Sequence, residues 1–304
     1  MTVTDDFGLT PAERDLVPTA EEAAQYAEHG WFLTKRLFSD EELDTLQEAT
    51  EKYYEGHRDR TLPVRPPHLA SWNPSHGPVQ RHNDYVHYES ETVGRILRKP
   101  LVGAVAAALA RASEIRLFQA TLIYKPPNPH EASNLVPWHM DRHYWQTCTS
   151  DRMLTAFVPF HDCDVRMGTI TMIDGSSRWR ELDEGDDSTR HFAERDRSEL
   201  ERILRDTARL NGHEIRKVPV EIPRGHASFH HCMTYHGSGA NMSDLPRRAI
   251  SLHLQDGENR YRPFRRPDGE PVVYNHDVLV RKTAEGFPDY ADPEFCPTLW
   301  KAPA

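Results

Sequence analysis

The chain has 304 residues, 38% hydrophobic and 28% charged, which excludes a disordered chain and fits a soluble globular protein with a sizeable core. No apolar run approaches the roughly 20 residues that cross a bilayer, and the net charge of -10 argues against nonspecific nucleic-acid binding. Four scattered cysteines without a C-x-x-C pair fit neither a disulfide framework nor a thiolate zinc site.

The start, MTVTDDFGLTPAERD, is acidic and lacks the basic and apolar regions of a secretory signal, so a reducing cytoplasm is the expected compartment. Thr19 and Glu22 form a capping-box pattern that predicts a helix ending at Gly30. Residues 31–33 continue as a short strand. Ser39 and Glu42 repeat the pattern, and Leu43, Leu46 and Ala49 carry helical spacing to about Gly56. Residues 57–88 are rich in Pro, His, Asn and Arg and read as an irregular loop, with a lid as a secondary reading. A helical stretch runs from Glu91 to Ala112, broken at Pro100.

After residue 114 the texture becomes β-like. Strands are predicted near 115–125, 152–160, 168–174, 215–222, 226–233 and 247–255, with a charged helical insertion at 194–210. Many short strands behind helices make the class α+β: a double-stranded β-helix (a jelly-roll, cupin-like core) with flanking N-terminal helices. No linker divides it, so one domain is expected over 1–304: a helical N-terminal region over 1–113, a core over 114–256 and a C-terminal extension over 257–304. The basic run Arg262–Gly269 reads as a solvated loop.

Eighteen histidines make chance motifs common, so a metal motif must be weighed against decoys. The strongest signal is Trp138-His139-Met140-Asp141-Arg142-His143-Tyr144-Trp145. On an extended segment, residues i and i+2 share a face, so His139 and Asp141 can converge on one metal. A further histidine would complete the two-His, one-carboxylate triad of a non-haem iron site. His236 is the best third ligand. It closes a strand-like run before a Gly- and Asn-rich turn. Arg247 follows eleven residues later, and an antiparallel turn would set it across from His236. Its planar fork suits a carboxylate, and Ser238 can add a hydroxyl. Two similar strings, His57-Arg-Asp59 and His82-Asn-Asp84, fall in the predicted loop and read as solvated or locally bonded, and His87-Tyr-Glu89 is a His-x-Glu string. His161, His230, His231 and His253 read as structural or surface residues. His143 extends the face of His139 and Asp141, and either reaches the substrate cavity or packs in the core.

With these pieces in place, the chain resembles the phytanoyl-CoA dioxygenase family of 2-oxoglutarate oxygenases. The resemblance spans about residues 25–256. It rests on Gly30-Trp-Phe, Leu122 to Pro127, His139-Met-Asp141 with His143-Tyr144, Gly168 to Ser176, and His236 to Asn241 with Arg247. It implies iron(II), 2-oxoglutarate and O2 as cofactor and cosubstrates. It implies His139, Asp141 and His236 as metal ligands, and Arg247 and Ser238 at the cosubstrate carboxylate. Thr121 matches another cosubstrate contact, and Phe157 stands where the family often has tryptophan. The implied reaction is hydroxylation of a small-molecule metabolite with release of succinate and CO2. Desaturation, cyclisation or demethylation would use the same ligands. A carboxylate at Asp141 fills the position that related halogenases leave open to halide. Trp138, Arg142, His143, Tyr144 and Trp145, with the aromatic and basic loop 57–88, are candidate substrate contacts. Small-molecule partners, no nucleic acid, no membrane, and a monomer or homodimer are expected. Two rivals remain: a cupin-like metal enzyme without 2-oxoglutarate, and a non-catalytic jelly-roll binding module.

Overall fold

The computed structural model describes residues 7–128, 134–182 and 195–303. The first six residues of the acidic start and Glu194, the predicted first residue of the helical insertion, lie outside these.

The N-terminal region supplies helices α1 (Pro11–Arg14), α2 (Ala20–His29), α3 (Asp40–Tyr54), α4 (Val86–Glu89), α5 (Glu91–Leu97) and α6 (Pro100–Ala110). Both predicted capping boxes form: Thr19 and Glu22 exchange side-chain-to-backbone hydrogen bonds, as do Ser39 and Glu42. Gly30 ends α2 in the left-handed region, at φ 78°. Pro100 occupies the first turn of α6, where its missing N–H costs nothing. The charged insertion is α7 (Arg197–Leu210). A last helix, α8 (Asn275–Leu279), lies in the C-terminal region.

The strands are β1 (Trp31–Leu33), β2 (Arg81–Asp84), β3 (Glu114–Lys125), β4 (Val136–His139), β5 (Leu154–Pro159), β6 (Ile170–Ile173), β7 (Lys217–Pro219), β8 (Ser228–His231), β9 (His236–Ser238), β10 (Arg247–Asp256) and β11 (Thr298–Lys301). They form two antiparallel sheets. The larger runs β1-β8-β5-β10-β3-β11, with β2 also paired to β3; the smaller runs β4-β9-β6-β7. This is the double-sheet jelly roll, with the N-terminal helices on the large sheet and α7 against the small one, an α+β fold. No helix among the described residues is long and apolar enough to cross a membrane.

Alternation along the large sheet explains both its stability and its chemistry. Leu122 on β3, Leu154, Ala156 and Val158 on β5, Phe229 on β8 and Ile250, Leu252 and Leu254 on β10 pack with Leu43, Leu46, Val93, Leu97 and Val105 of the helices. Each such Leu or Ile contributes about 1.5–3 kcal/mol on burial. The intervening residues face the smaller sheet: Gln119, Thr121 and Ile123; Thr155 and Phe157; His230; Arg247, Ser251 and His253. A one-residue slip would exchange the two sets, so the apolar face fixes the register of the polar one.

Three expectations change. Residues 81–84 are not loop but strand β2, at the edge of the large sheet against the end of β3. The decoys His82 and Asp84 are therefore not solvated; both line the interior cavity. The segment 257–304 is no appendage, because β11 pairs with β3 and Tyr274, His276, Tyr290 and Phe295 pack around Phe118 and Trp145.

Candidate metal centre

Between the two sheets lies a cavity of about 850 Å³. His139, Asp141 and His236 meet on its wall. Their ligand atoms all lie within 4.8 Å of one another. β4 and β9 pair antiparallel with His139 directly opposite His236, and the two rings stand 4.2 Å apart. Gly237 permits this approach: a Cβ there would sit 2.8 Å from the Val136 carbonyl oxygen. Met140 stays extended (φ -115°, ψ 139°), which brings Asp141 round to the side of His139.

The hydrogen bonds set the tautomers. Nδ1 of His139 lies 2.8 Å from the Pro137 carbonyl, and Nδ1 of His236 lies 2.9 Å from the Thr234 carbonyl. A carbonyl only accepts, so both Nδ1 atoms carry the proton. Both Nε2 lone pairs therefore face Asp141, whose Oδ1 is 3.6 Å from His236 Nε2 and 3.9 Å from His139 Nε2.

The second carboxylate oxygen is already committed. Oδ2 accepts from Thr155 Oγ1 at 2.6 Å and from His230 Nε2 at 3.2 Å. His253 Nδ1 donates to Thr155 at 2.9 Å, which leaves the threonine proton for Asp141. Only Oδ1 is left for a metal. Burial opposes ionisation of Asp141, yet His236, His230 and His253 outweigh it and hold the carboxyl well below its usual range. Burial pushes His230 and His253 down to about 4, so both stand neutral at pH 7. These two histidines, read from the sequence as structural or surface, are the supports of the site.

A first-row dication bound at about 2.1 Å sets neighbouring ligand atoms roughly 3 Å apart. The observed 3.6 and 3.9 Å need a small inward rotation. Two neutral imidazoles with one carboxylate on one side of the position are the donor set of non-haem iron(II) sites with open coordination positions.

A buried guanidinium lies on the wall of the same cavity. Arg247 opens β10 opposite Lys125 of β3. It is 2% exposed and has no ion-pair partner among the described residues. One N–H of its guanidinium donates to the Gly168 carbonyl, its Nε has no partner, and its fork lies 5.3 Å from the centre of the Phe157 ring. Burial pulls its pKa down to about 10. Lys125, also buried, donates to Ser238 Oγ and the Gly239 carbonyl, each at 2.7 Å. Ser238 Oγ therefore accepts from the ammonium and turns its own proton elsewhere. Lys125 had a sequence signal, since it lies within the Leu122–Pro127 match, but no role was assigned to it. The predicted hairpin from His236 to Arg247 does not form. β9 belongs to the small sheet and β10 to the large one, so residues 239–246 cross between sheets and Arg247 reaches the cavity from the facing wall.

A family model for phytanoyl-CoA dioxygenase (PhyH) matches residues 26–249. The chain belongs to this family. It is 22% identical to bovine peroxisomal phytanoyl-CoA dioxygenase, over 90% of this chain and 79% of the relative. It is 26% identical to ectoine dioxygenase of Bordetella bronchiseptica, over 81% and 78%. Among solved structures it is similar to SnoN, a non-heme alpha ketoglutarate dependent epimerase from nogalamycin biosynthesis. The TM-score is 0.64 at 25% identity, covering 95% of this chain and 98% of that one. SnoN has also been seen in complex with Fe3+, alpha ketoglutarate and nogalamycin RO.

The four residues assigned by family resemblance to the cosubstrate, Arg247, Ser238, Thr121 and Phe157, all line the same cavity as the triad. The five candidate substrate contacts separate. Asp141–Tyr144 is a 3-10 turn, in which residues three apart share a side, so Tyr144 follows Asp141 into the cavity and Trp145 joins it. The same turn carries His143 away: its Nε2 faces Glu181 at 3.5 Å. The Arg142 guanidinium donates to the carbonyls of Trp145, Cys148 and Ser150 and staples the turn. Trp138 packs on the outer face with Ile215, with Lys217 Nζ 5.0 Å from its ring centre. An extended strand would have kept His143 on the face of His139 and Asp141, but the strand ends at His139; Trp138, inside the strand, alternates with His139 onto the other face.

The opposite wall comes from the loop 57–88, which sequence reasoning offered as part of the substrate pocket, and from the C-terminal region, which it left out. Pro67 to Ala70, His82 and Asp84 come from the predicted loop, and Arg266 and Pro271 to Asn275 from the C-terminal region. The basic run 262–269 is therefore not wholly solvated, since Arg266 faces the cavity.

Proposed function

We propose that this protein is a non-haem iron(II) oxygenase that uses 2-oxoglutarate and O2 to oxidise a small molecule held between its sheets. The observation that carries the reading is the pairing of a tautomer-fixed His139–Asp141–His236 cluster with a buried guanidinium that has no carboxylate of its own. A cupin-like enzyme without a dicarboxylate would have no use for that cation, and a binding module would have none for three convergent ligand atoms.

His139 and His236 would hold the metal through Nε2, and Asp141 through Oδ1 alone. Thr155 and His230 keep Oδ2 occupied, so one coordination position is not lost to a chelating carboxylate. Iron with 2-oxoglutarate and O2 supplies the oxidising power, with succinate and CO2 as co-products. Arg247 and the Ser238 hydroxyl would grip the far carboxylate of the cosubstrate, and Thr121 and Phe157 would flank it. The Asp141 carboxylate fills the position a halide would need. The cavity would orient the substrate against the centre.

Hydroxylation is the proposed outcome. The likeness to an epimerase favours, as a second reading, hydrogen removal without oxygen insertion. We further propose one catalytic domain, because the large sheet and the cavity wall both include C-terminal residues. The four cysteines are buried and unpaired, which supports a reducing cytoplasm, with small molecules as partners and a monomer or homodimer as the working form.

The test is iron-dependent conversion of 2-oxoglutarate to succinate by purified protein, with product mass read on any substrate found. Succinate formation lost in His139→Ala and His236→Ala supports the reading. Loaded wild-type protein that makes no succinate refutes it. A product heavier by one oxygen marks hydroxylation, and unchanged mass with inverted configuration marks epimerisation.

A further inference from the structure

The triad and the Arg247 guanidinium account for one side of the cavity, and Asp84 is the carboxylate on the other. It closes β2 and pairs in register with Thr121. Thr121 pairs with Ser251, and Ser251 with Phe157, so one row of cavity-lining residues runs across the sheet from Asp84 to the cosubstrate wall.

The hydrogen bonds around Asp84 have a single direction. Tyr274 donates to Gln119 Oε1. Gln119 Nε2 donates to Thr121 Oγ1 at 3.1 Å, and Thr121 spends its proton on Asp84 Oδ1 at 2.8 Å. The Ala70 N–H donates to Oδ2 at 3.1 Å. Every donor points toward the carboxylate, which is how a network presents an anion and not an acid.

This anion is 9% exposed, and no Lys, Arg or His among the described residues forms an ion pair with it. Burial pushes its pKa up to about 6. A buried charge without a counter-charge destabilises a fold. Here it lies on a cavity wall, where a bound molecule can supply the missing charge. Tyr144, Trp145 and Tyr274 line the same space, and aromatic faces also attract cations.

We propose that the substrate carries a basic nitrogen, held as an ammonium against the Asp84 carboxylate. The cavity then has Arg247 on the wall for the dicarboxylate and Asp84, on the opposite wall that also carries Arg266, for the substrate cation. The identification of a substrate side rests on the oxygenase reading above; the unpaired carboxylate does not. A hydroxyl substrate would also satisfy an acceptor, but it would leave the charge uncompensated.

The experiment is anaerobic calorimetry on protein loaded with iron(II) and 2-oxoglutarate. The probes are matched sets on one skeleton: an aryl-alkyl primary amine, its N-acetyl derivative and the corresponding alcohol. Wild type should bind the amines about 30-fold more tightly than their acetylated or hydroxyl partners, the scale for truncating one member of a buried charge pair. Asp84→Asn should erase that preference and Asp84→Glu should keep much of it, while the visible band of bound 2-oxoglutarate shows that each variant is folded and loaded. Equal binding of amine and acetyl forms, a preference that survives in Asp84→Asn, or no binding by any amine overturns the proposal. If wild type gives no 2-oxoglutarate band, the oxygenase reading fails instead. The amine preference is then measured on metal-free protein, where the donors to Asp84 are unchanged.

Discussion

Arg247→Met separates function from stability. Methionine keeps the length and apolar contact of the side chain and removes the charge. Burial lowers the arginine pKa from 12.5 to about 10. At about 1.4 kcal/mol per decade, the charged form costs the ligand-free fold roughly 3 kcal/mol. Folded and unfolded states both carry the charge at pH 7, so this cost is present in full there and fades only above the folded pKa. Against it stands the hydrogen bond to the Gly168 carbonyl, whose loss costs about 1–2 kcal/mol. The balance is a gain of roughly 1–2 kcal/mol, or about 2–4 °C in Tm for a chain of this size. Cosubstrate binding should move the other way. Removing one partner of a buried charge pair costs about 2–5 kcal/mol, or about 30- to 3000-fold. Thermal melts of metal-free protein, with succinate formation against 2-oxoglutarate concentration, measure both effects. A variant that melts several degrees lower, or that saturates at the wild-type 2-oxoglutarate concentration, refutes the reasoning.

Thr155→Val and His230→Phe remove the donors that hold Asp141 Oδ2. Iron(II) affinity should fall about 10- to 100-fold in each, and unchanged affinity in an equilibrium titration would show that Asp141 needs no support. Gly237→Ala should push β9 from β4 and also weaken iron binding, because its Cβ meets the Val136 carbonyl at 2.8 Å; wild-type affinity would mean that the strands can part without separating the histidines. Asp84 should make the metal-free protein less stable as pH rises. Its folded pKa, about 6, lies above the ordinary 3.8, so the native state binds more protons between those values. Relative to Asp84→Asn, wild type should lose roughly 2 kcal/mol between pH 4 and pH 6 in chemical denaturation. Parallel stability curves over that window would contradict this.

The core of the site was legible because strand alternation places it. Thr121 and Phe157 came from the family resemblance, and the structure puts them, with Arg247, on cavity-facing positions of strands whose other face is apolar. The short spacing of His139 and Asp141 also survives the end of the strand, because Met140 remains extended. The opposite wall was not legible. Strand β2 has the sequence Arg-His-Asn-Asp, which shows no apolar alternation, and only pairing with the end of β3 makes it a strand. The contribution of residues 266–275 depends on a long return of the chain that no local pattern announces. His230 and His253 looked like ordinary strand residues, since nothing in the sequence tells that their rings meet Asp141 across three neighbouring strands. His143 was misplaced because a 3-10 turn replaces the expected extended residues, and Trp138 because it alternates with His139 onto the outer face.

The most direct test of the metal centre is anaerobic titration of metal-free protein with iron(II), then with 2-oxoglutarate. One iron per chain should bind, and 2-oxoglutarate should then raise a visible charge-transfer band, both lost in His139→Ala, Asp141→Ala and His236→Ala. Full iron binding in those variants, or no band in saturated wild-type protein, would contradict the account.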